Sequence, residues 1–326
     1  MSKKTSKGVA MGIDLGGTKI LAGVVDAQNK VLGRGKLKTP FQGDSAALTA
    51  ALLGACDAAL KEAGLFRSDV MAVAMAGPGP IDREKGVLLR AENLAVRDFS
   101  VHTALAPAFP NATKPRLEND VRLAALGESR LGAGKGVETM VAVWVGTGVG
   151  GSVIHKGKIW LGRNRNAGEI GHVQLDFRRA KPGTADGTFE GIAAKVGMTR
   201  FLAKKIAAGE KTSLSGVVSK EGGRLKGKEL LAAIQQQDPL TLKAVARSAK
   251  AVGMMMANIF NILSPDLFVL GGGVGVDLGD FYLADVRKWA EAFAFTTELG
   301  SIQIVPAALG DDAGILGAAL FAREGD

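Results

Sequence analysis

Three glycine-rich turns each follow a short apolar run: Gly16-Gly17-Thr18-Lys19, Gly146-Thr147-Gly148-Val149-Gly150-Gly151 and Gly271-Gly272-Gly273. A backbone that lies against phosphate oxygens needs residues without a Cβ and with access to positive φ, and glycine supplies both. Any one of these turns also reads as an ordinary tight hairpin. Together, with a threonine hydroxyl donor in two of them, they read as a cradle for nucleotide phosphates. Gly146, Gly148 and Gly151 formally satisfy the dinucleotide pattern G-x-G-x-x-G. That pattern requires a helix after the third glycine, whereas Ser152-Val153-Ile154-His155 reads as a strand, which disfavours a Rossmann dehydrogenase. The G-x-x-x-x-G-K-[ST] signature is absent from the sequence, which excludes a Walker-type ATPase.

Transfer of a phosphoryl group to a hydroxyl needs positioning, charge stabilisation and one carboxylate to accept the hydroxyl proton. Asp120 is the candidate. It follows Asn119 where a helix is expected to begin, so its two readings are a helix N-cap and a catalytic base.

These groups need elements to hold them. Val9 to Leu15 reads as a strand that turns at Gly16-Gly17 and returns from Ile20 to Val25 as a buried hairpin. A third strand is expected around Val31 to Leu37. It leads to an alanine-rich helix from about Asp44 to Ala63, with Cys56 among its apolar residues. Val70 to Ala76 is another strand, ending in Gly77-Pro78-Gly79-Pro80, a run unsuited to helix. Lys114 to Leu117 feeds the helix that opens near Asn119-Asp120 and continues through Leu131. The opening pattern then recurs, with Thr139 to Val145 apolar, the second glycine turn, and a return strand from Ser152 to His155. Two glycine-turned hairpins about 130 residues apart suggest a duplicated half-domain plan.

Beyond Phe189 the chain reads as helical, including Pro239 to Leu263 with Asp238 as N-cap. Leu267 to Leu270 is a short buried strand that runs into the third glycine turn. A helix from about Asp280 to Phe293, a strand from Ile302 to Pro306, and a last helix capped by Asp311-Asp312 complete the pattern. The alternation of strands and helices specifies an α/β class with buried sheets.

At 326 residues and 47% hydrophobic content, the chain exceeds the roughly 150 residues expected per domain, and two domains follow. The single cysteine excludes an internal disulfide and any multi-cysteine metal cage, and fits a reducing compartment. Residues 1–7 lack the apolar stretch of a signal peptide, and no long apolar run follows, so a cytoplasmic protein without a membrane contact is expected. The formal net charge of +9 is scattered, and one tyrosine offers little to base stacking. Nucleic acid is therefore not the expected partner, and an anionic small molecule accounts for the charge equally well.

Six segments, in order, resemble the motifs of the ROK family of bacterial sugar kinases, in the hexokinase and actin-like superfamily. They are Gly12-Ile13-Asp14-Leu15-Gly16-Gly17-Thr18-Lys19, Ala76-Gly77-Pro78-Gly79-Pro80-Ile81-Asp82, Glu118-Asn119-Asp120, the run Gly146 to Gly151, Ala167-Gly168-Glu169-Ile170-Gly171-His172, and Leu270-Gly271-Gly272-Gly273. They span nearly the whole chain. The resemblance implies an α/β, two-domain actin-like/hexokinase-like (ribonuclease H-like) fold with a central cleft. Its small N-terminal domain would comprise residues 1–118 plus 312–326, and its large domain residues 119–311.

The implied activity is ATP-dependent phosphorylation of a hexose hydroxyl by a glucokinase-like homodimer, with Mg²⁺ arriving on the nucleotide. Asp120 would be the base. Asn119, Glu169, His172 and Glu190 would hold the sugar, with Asn93 within reach of it. Asp14, Gly16, Gly17, Thr18, Lys19, Gly146, Thr147, Gly148, Gly271, Gly272 and Gly273 would serve the nucleotide, Asp14 by organising the metal through water. Two rival readings are a sugar-responsive regulator and a non-catalytic sugar-binding protein. Against the first, only about eight residues precede the first strand, too few for a helix-turn-helix reader.

One departure from the family pattern matters. Where the family carries a C-x-C-G-x-x-G-C stretch that holds zinc together with the histidine, the interval from Asp176 to Thr188 contains no cysteine, and no structural zinc is expected. The basic residues Arg178, Arg179 and Lys181 in this interval read either as a solvated loop or as a feature admitting an acidic sugar.

Overall fold

A computed structural model describes residues 8–40, 44–91, 94–218, 225–295 and 301–324. The chain forms two compact units, residues 1–132 with 309–326, and residues 133–308.

The first unit opens with β1 (Val9–Leu15), β2 (Lys19–Val25) and β3 (Val31–Lys38), followed by α1 (Ser45–Ala63) and β4 (Val70–Gly77). Three short strands, β5 (Ile81–Asp82), β6 (Val87–Ala91) and β7 (Val96–Ser100), make a separate antiparallel sheet. They precede α2 (Val101–Leu105), β8 (Arg116–Asn119) and α3 (Asp120–Leu131). The main sheet has the order β3-β2-β1-β4-β8, with β1 antiparallel to β2 and parallel to β4. Its central strands are nearly continuous apolar runs because both faces are covered. A C-terminal helix, Asp312–Glu324, packs on β1 and α3. Gly12 and Gly317 permit the contact, because a Cβ on either would overlap a backbone carbonyl of the neighbouring element.

The second unit repeats the plan. β9 (Thr139–Val145), β10 (Val149–His155) and β11 (Lys158–Ile159) are antiparallel neighbours. Its helices then run as α4 (Phe189–Ala193), α5 (Lys195–Ala207), α6 (Ser215–Val218), α7 (Gly227–Gln235) and α8 (Pro239–Leu263). β12 (Leu267–Gly271), α9 (Gly272–Asp277), α10 (Gly279–Phe293) and β13 (Ile304–Pro306) finish it. The sheet order β11-β10-β9-β12-β13, with β12 parallel to both neighbours, reproduces the first sheet strand for strand. The duplication expected from the two hairpins is thus present in the topology.

Two local expectations change. The return strand of the second hairpin begins at Val149, so Gly151 lies inside a strand and the dinucleotide fingerprint has no helix to open. Gly271-Gly272-Gly273 is a strand-to-helix junction rather than a loop, with Gly271 as the cap of α9. Among the described residues, no helix is long and apolar enough to cross a membrane.

Candidate active site

In the first unit, Asp14 is the penultimate residue of β1, between Leu21 of β2 and Ala76 of β4. Gly314 of the C-terminal helix lies over it, and a Cβ there would stand 2.9 Å from the Asp14 Cγ. Burial, then the charges of Asp120 and Asp311, push the Asp14 carboxyl up from its ordinary 3.8 to about 7, against the opposing pull of Lys19. Lys19, the first residue of β2, pairs with Asp311 at 2.6 Å. The turn itself is tied down by Thr39, whose hydroxyl donates to the Gly16 carbonyl at 2.7 Å and whose N–H donates to the Thr18 carbonyl at 3.1 Å. Gly17 and Thr18 remain exposed at its tip.

Asn119 and Asp120 separate their duties. Asn119 is the N-cap of α3, its Oδ1 accepting from Val121 N at 3.0 Å and Arg122 N at 3.2 Å. Asp120 is the first helical residue, so the cap reading belongs to its neighbour. Buried Glu118 anchors the junction through ion pairs of 3.3 Å to both Arg83 and Arg122.

The raised Asp14 carboxyl makes stability fall with pH. Between about 4 and 7 the folded chain holds a proton that the unfolded chain has lost, so stability declines across that window and levels off above it. The shift corresponds to at most about 4 kcal/mol, and since Asp14 keeps some exposed surface, about 2 kcal/mol is expected. Asp14→Asn should therefore match the parent near pH 4 and exceed it by that amount at pH 8, read from denaturation midpoints without nucleotide.

In the second unit, the turn Gly146-Thr147-Gly148 closes through Gly146 N on the Gly148 carbonyl at 2.8 Å. The first residues of α5 donate to it, Lys195 N to the Gly146 carbonyl at 3.0 Å and Val196 N to that of Thr147 at 3.4 Å. Glu190 of α4 accepts from Val149 N at 2.9 Å, and a Cβ on Gly148 would stand 2.5 Å from its Oε2. Glu190, expected at the sugar, thus lies against the second glycine turn. Ser248 of α8 fixes α4 by donating to the Ala193 carbonyl at 2.7 Å, and buried Tyr282 lies 2.7 Å from the same hydroxyl.

Glu169 caps a single 3₁₀ turn, Ile170–His172, whose last residue is His172, and both are exposed. Among the turn glycines only Gly272 takes a positive φ, +80°, under the Val145 carbonyl. Gly16, Gly148, Gly151 and Gly271 serve close approach instead, since a Cβ on each would stand 3.0 Å or less from a neighbouring atom. A Cβ on Gly273 would stand 3.5 Å from Asp277 Oδ2 and 3.7 Å from Lys195 Nζ. Lys195 and Asp277 carry no signal in the sequence, since only the fold brings the start of α5 to the third glycine turn. Asn93 lies outside the described residues.

Residues 173–188 contain no cysteine, and among the described residues no three His, Cys, Asp or Glu side chains gather as metal ligands would. Leu175 and Asp176 both donate to the Gly187 carbonyl, at 2.8 and 3.0 Å, and Phe189 donates to that of Val173 at 2.8 Å. Backbone hydrogen bonds close the segment on itself.

A glucokinase of Halalkalibacterium halodurans is 29% identical over 96% of this chain and 94% of its own length. An N-acetylmannosamine kinase of Escherichia fergusonii is 30% identical over 96% of this chain and 98% of its own. The crystal structure of a ROK family glucokinase from Streptomyces griseus in complex with glucose and AMPPNP has a TM-score of 0.80 at 30% identity, covering 98% of this chain and 100% of that one. The fold is hexokinase-like α/β, and the chain is a sugar kinase. Residues 10–325 match the ROK family model, and the chain belongs to that family.

Proposed function

We propose that this sugar kinase transfers the terminal phosphate of ATP to a hydroxyl of a neutral hexose of the glucose class, with Asp120 as base. The observation that carries the reading is the division of labour at α3: Asn119 takes the capping role, so the part-exposed Asp120 carboxylate, whose charge acts on Asp14, is not needed to start the helix.

Asp120 accepts the hydroxyl proton as the oxygen attacks, and the attacking oxygen is thereby kept nucleophilic. Lys19, Thr18 and Thr147 supply positive charge and hydroxyl donors to the phosphates, and Gly271 to Gly273 with Lys195 serve the rest of the nucleotide. Asn119, Glu169, His172 and Glu190 hold the sugar, with Asn93 as a further contact. A magnesium ion arriving with ATP would neutralise phosphate charge, and Asp14 fits it through water, since Mg²⁺ keeps most of its waters and takes few protein carboxylates. A cytoplasmic homodimer belongs to the same reading.

ADP release with MgATP against glucose, N-acetylglucosamine, N-acetylmannosamine, mannose, fructose and allose tests the reading. Glucose is expected to give the highest kcat/KM. A preference for N-acetylmannosamine would overturn the substrate assignment while leaving the base in place.

A further inference from the structure

A cavity of about 340 Å³ lies wholly within the second unit, beside α4 and α5. Arg179, Arg200, Lys204, Lys205 and Arg247 line it, with Asp186 as the one carboxylate among the described residues. Asp186 is 3.7 Å from Arg200, and Lys205 pairs with Glu210 at 2.7 Å. Among the described residues, Arg179, Lys204 and Arg247 have no carboxylate within ion-pair distance.

Arg247 is half-buried, donates to the Ile192 carbonyl at 3.2 Å and stacks over Phe201. Burial, then repulsion from Arg179, lowers its pKa, and the more weakly acting Asp176 offsets only part of this. Like charges gathered around a concave space are costly unless an anion neutralises them. Guanidinium forks match phosphate oxygens with two hydrogen bonds each. The volume lies in the range of small-molecule pockets. The Arg178–Lys181 basic run, unexplained by the phosphotransfer chemistry, contributes Arg179 to this wall.

We propose that this cavity is a second ligand site that takes a compact, multiply charged phosphate anion, either a short polyphosphate or a phosphorylated sugar.

Titration calorimetry of the full chain tests it, with glucose and AMPPNP present in saturating amounts to occupy the active site. Sodium tripolyphosphate and glucose 6-phosphate are the two arms, with sodium chloride of matched ionic strength as reference. At least one arm is expected to show a site that weakens by about tenfold or more in Arg179→Gln/Arg200→Gln. Both positions are exposed, and unchanged unfolding temperature and basal turnover would verify that this variant folds. Whichever arm binds identifies the source of the phosphate. Heats no larger than those of chloride in both arms, or an affinity unchanged in the double variant, would overturn the proposal.

Discussion

Asp120→Asn is expected to lower the kcat of hexose-dependent ADP release by about 10²–10⁴-fold, the range spanned by a positioned general base. That corresponds to about 3–5 kcal/mol of barrier. The fold should survive, because Asn119 makes the capping bonds to Val121 and Arg122 and the Glu118 ion pairs hold the strand-to-helix junction. An asparagine at 120 can still accept from Val121 N, which Asp120 Oδ1 does at 2.8 Å. Hexose KM should change little, since the amide keeps the shape of the carboxylate while losing its basicity. A kcat reduced by less than about tenfold would mean that proton removal is not this residue's task. Loss of one acidic neighbour should also lower the Asp14 pKa, so the pH dependence of stability between 4 and 7 should flatten in the same variant.

Much of this arrangement is legible in the chain because its elements are local. Apolar runs ending in glycine mark β1, β9 and β12, and Asp238 caps α8 by accepting from Thr241 N at 2.8 Å. The small sheet of β5 to β7 is not legible, because Val87–Ala91 and Val96–Ser100 mix arginine and aspartate with apolar residues and their alternation is short. Long-range partners are equally hidden. Lys19 meets Asp311 across 292 residues, and no spacing rule reaches that far. Positive φ, expected of the phosphate-turn glycines, is found only at Gly272, while at Gly16, Gly148, Gly151 and Gly271 close packing accounts for the missing side chain.

Gly317→Ala tests how strongly the first unit depends on such packing. The residue lies on the C-terminal helix, and a methyl there would overlap the Leu123 carbonyl of α3. Neither backbone can yield locally, so the helices must separate, and overpacking of this kind costs about 3 kcal/mol. In a unit of this size that is about 6–12 °C of melting temperature. The same helix carries Gly314 over Asp14, and α3 carries Asp120, so a shift of about 1 Å would move Asp120 and the cover over Asp14 and should cost about 10²-fold in turnover. Gly216→Ala is the contrasting change. Gly216 is exposed in α6 with open space around its would-be Cβ, and alanine there should leave stability unchanged or raise it by about 0.4–1 kcal/mol. Equal melting temperatures for the two variants would show that α3 and the C-terminal helix are less tightly apposed than the glycines indicate.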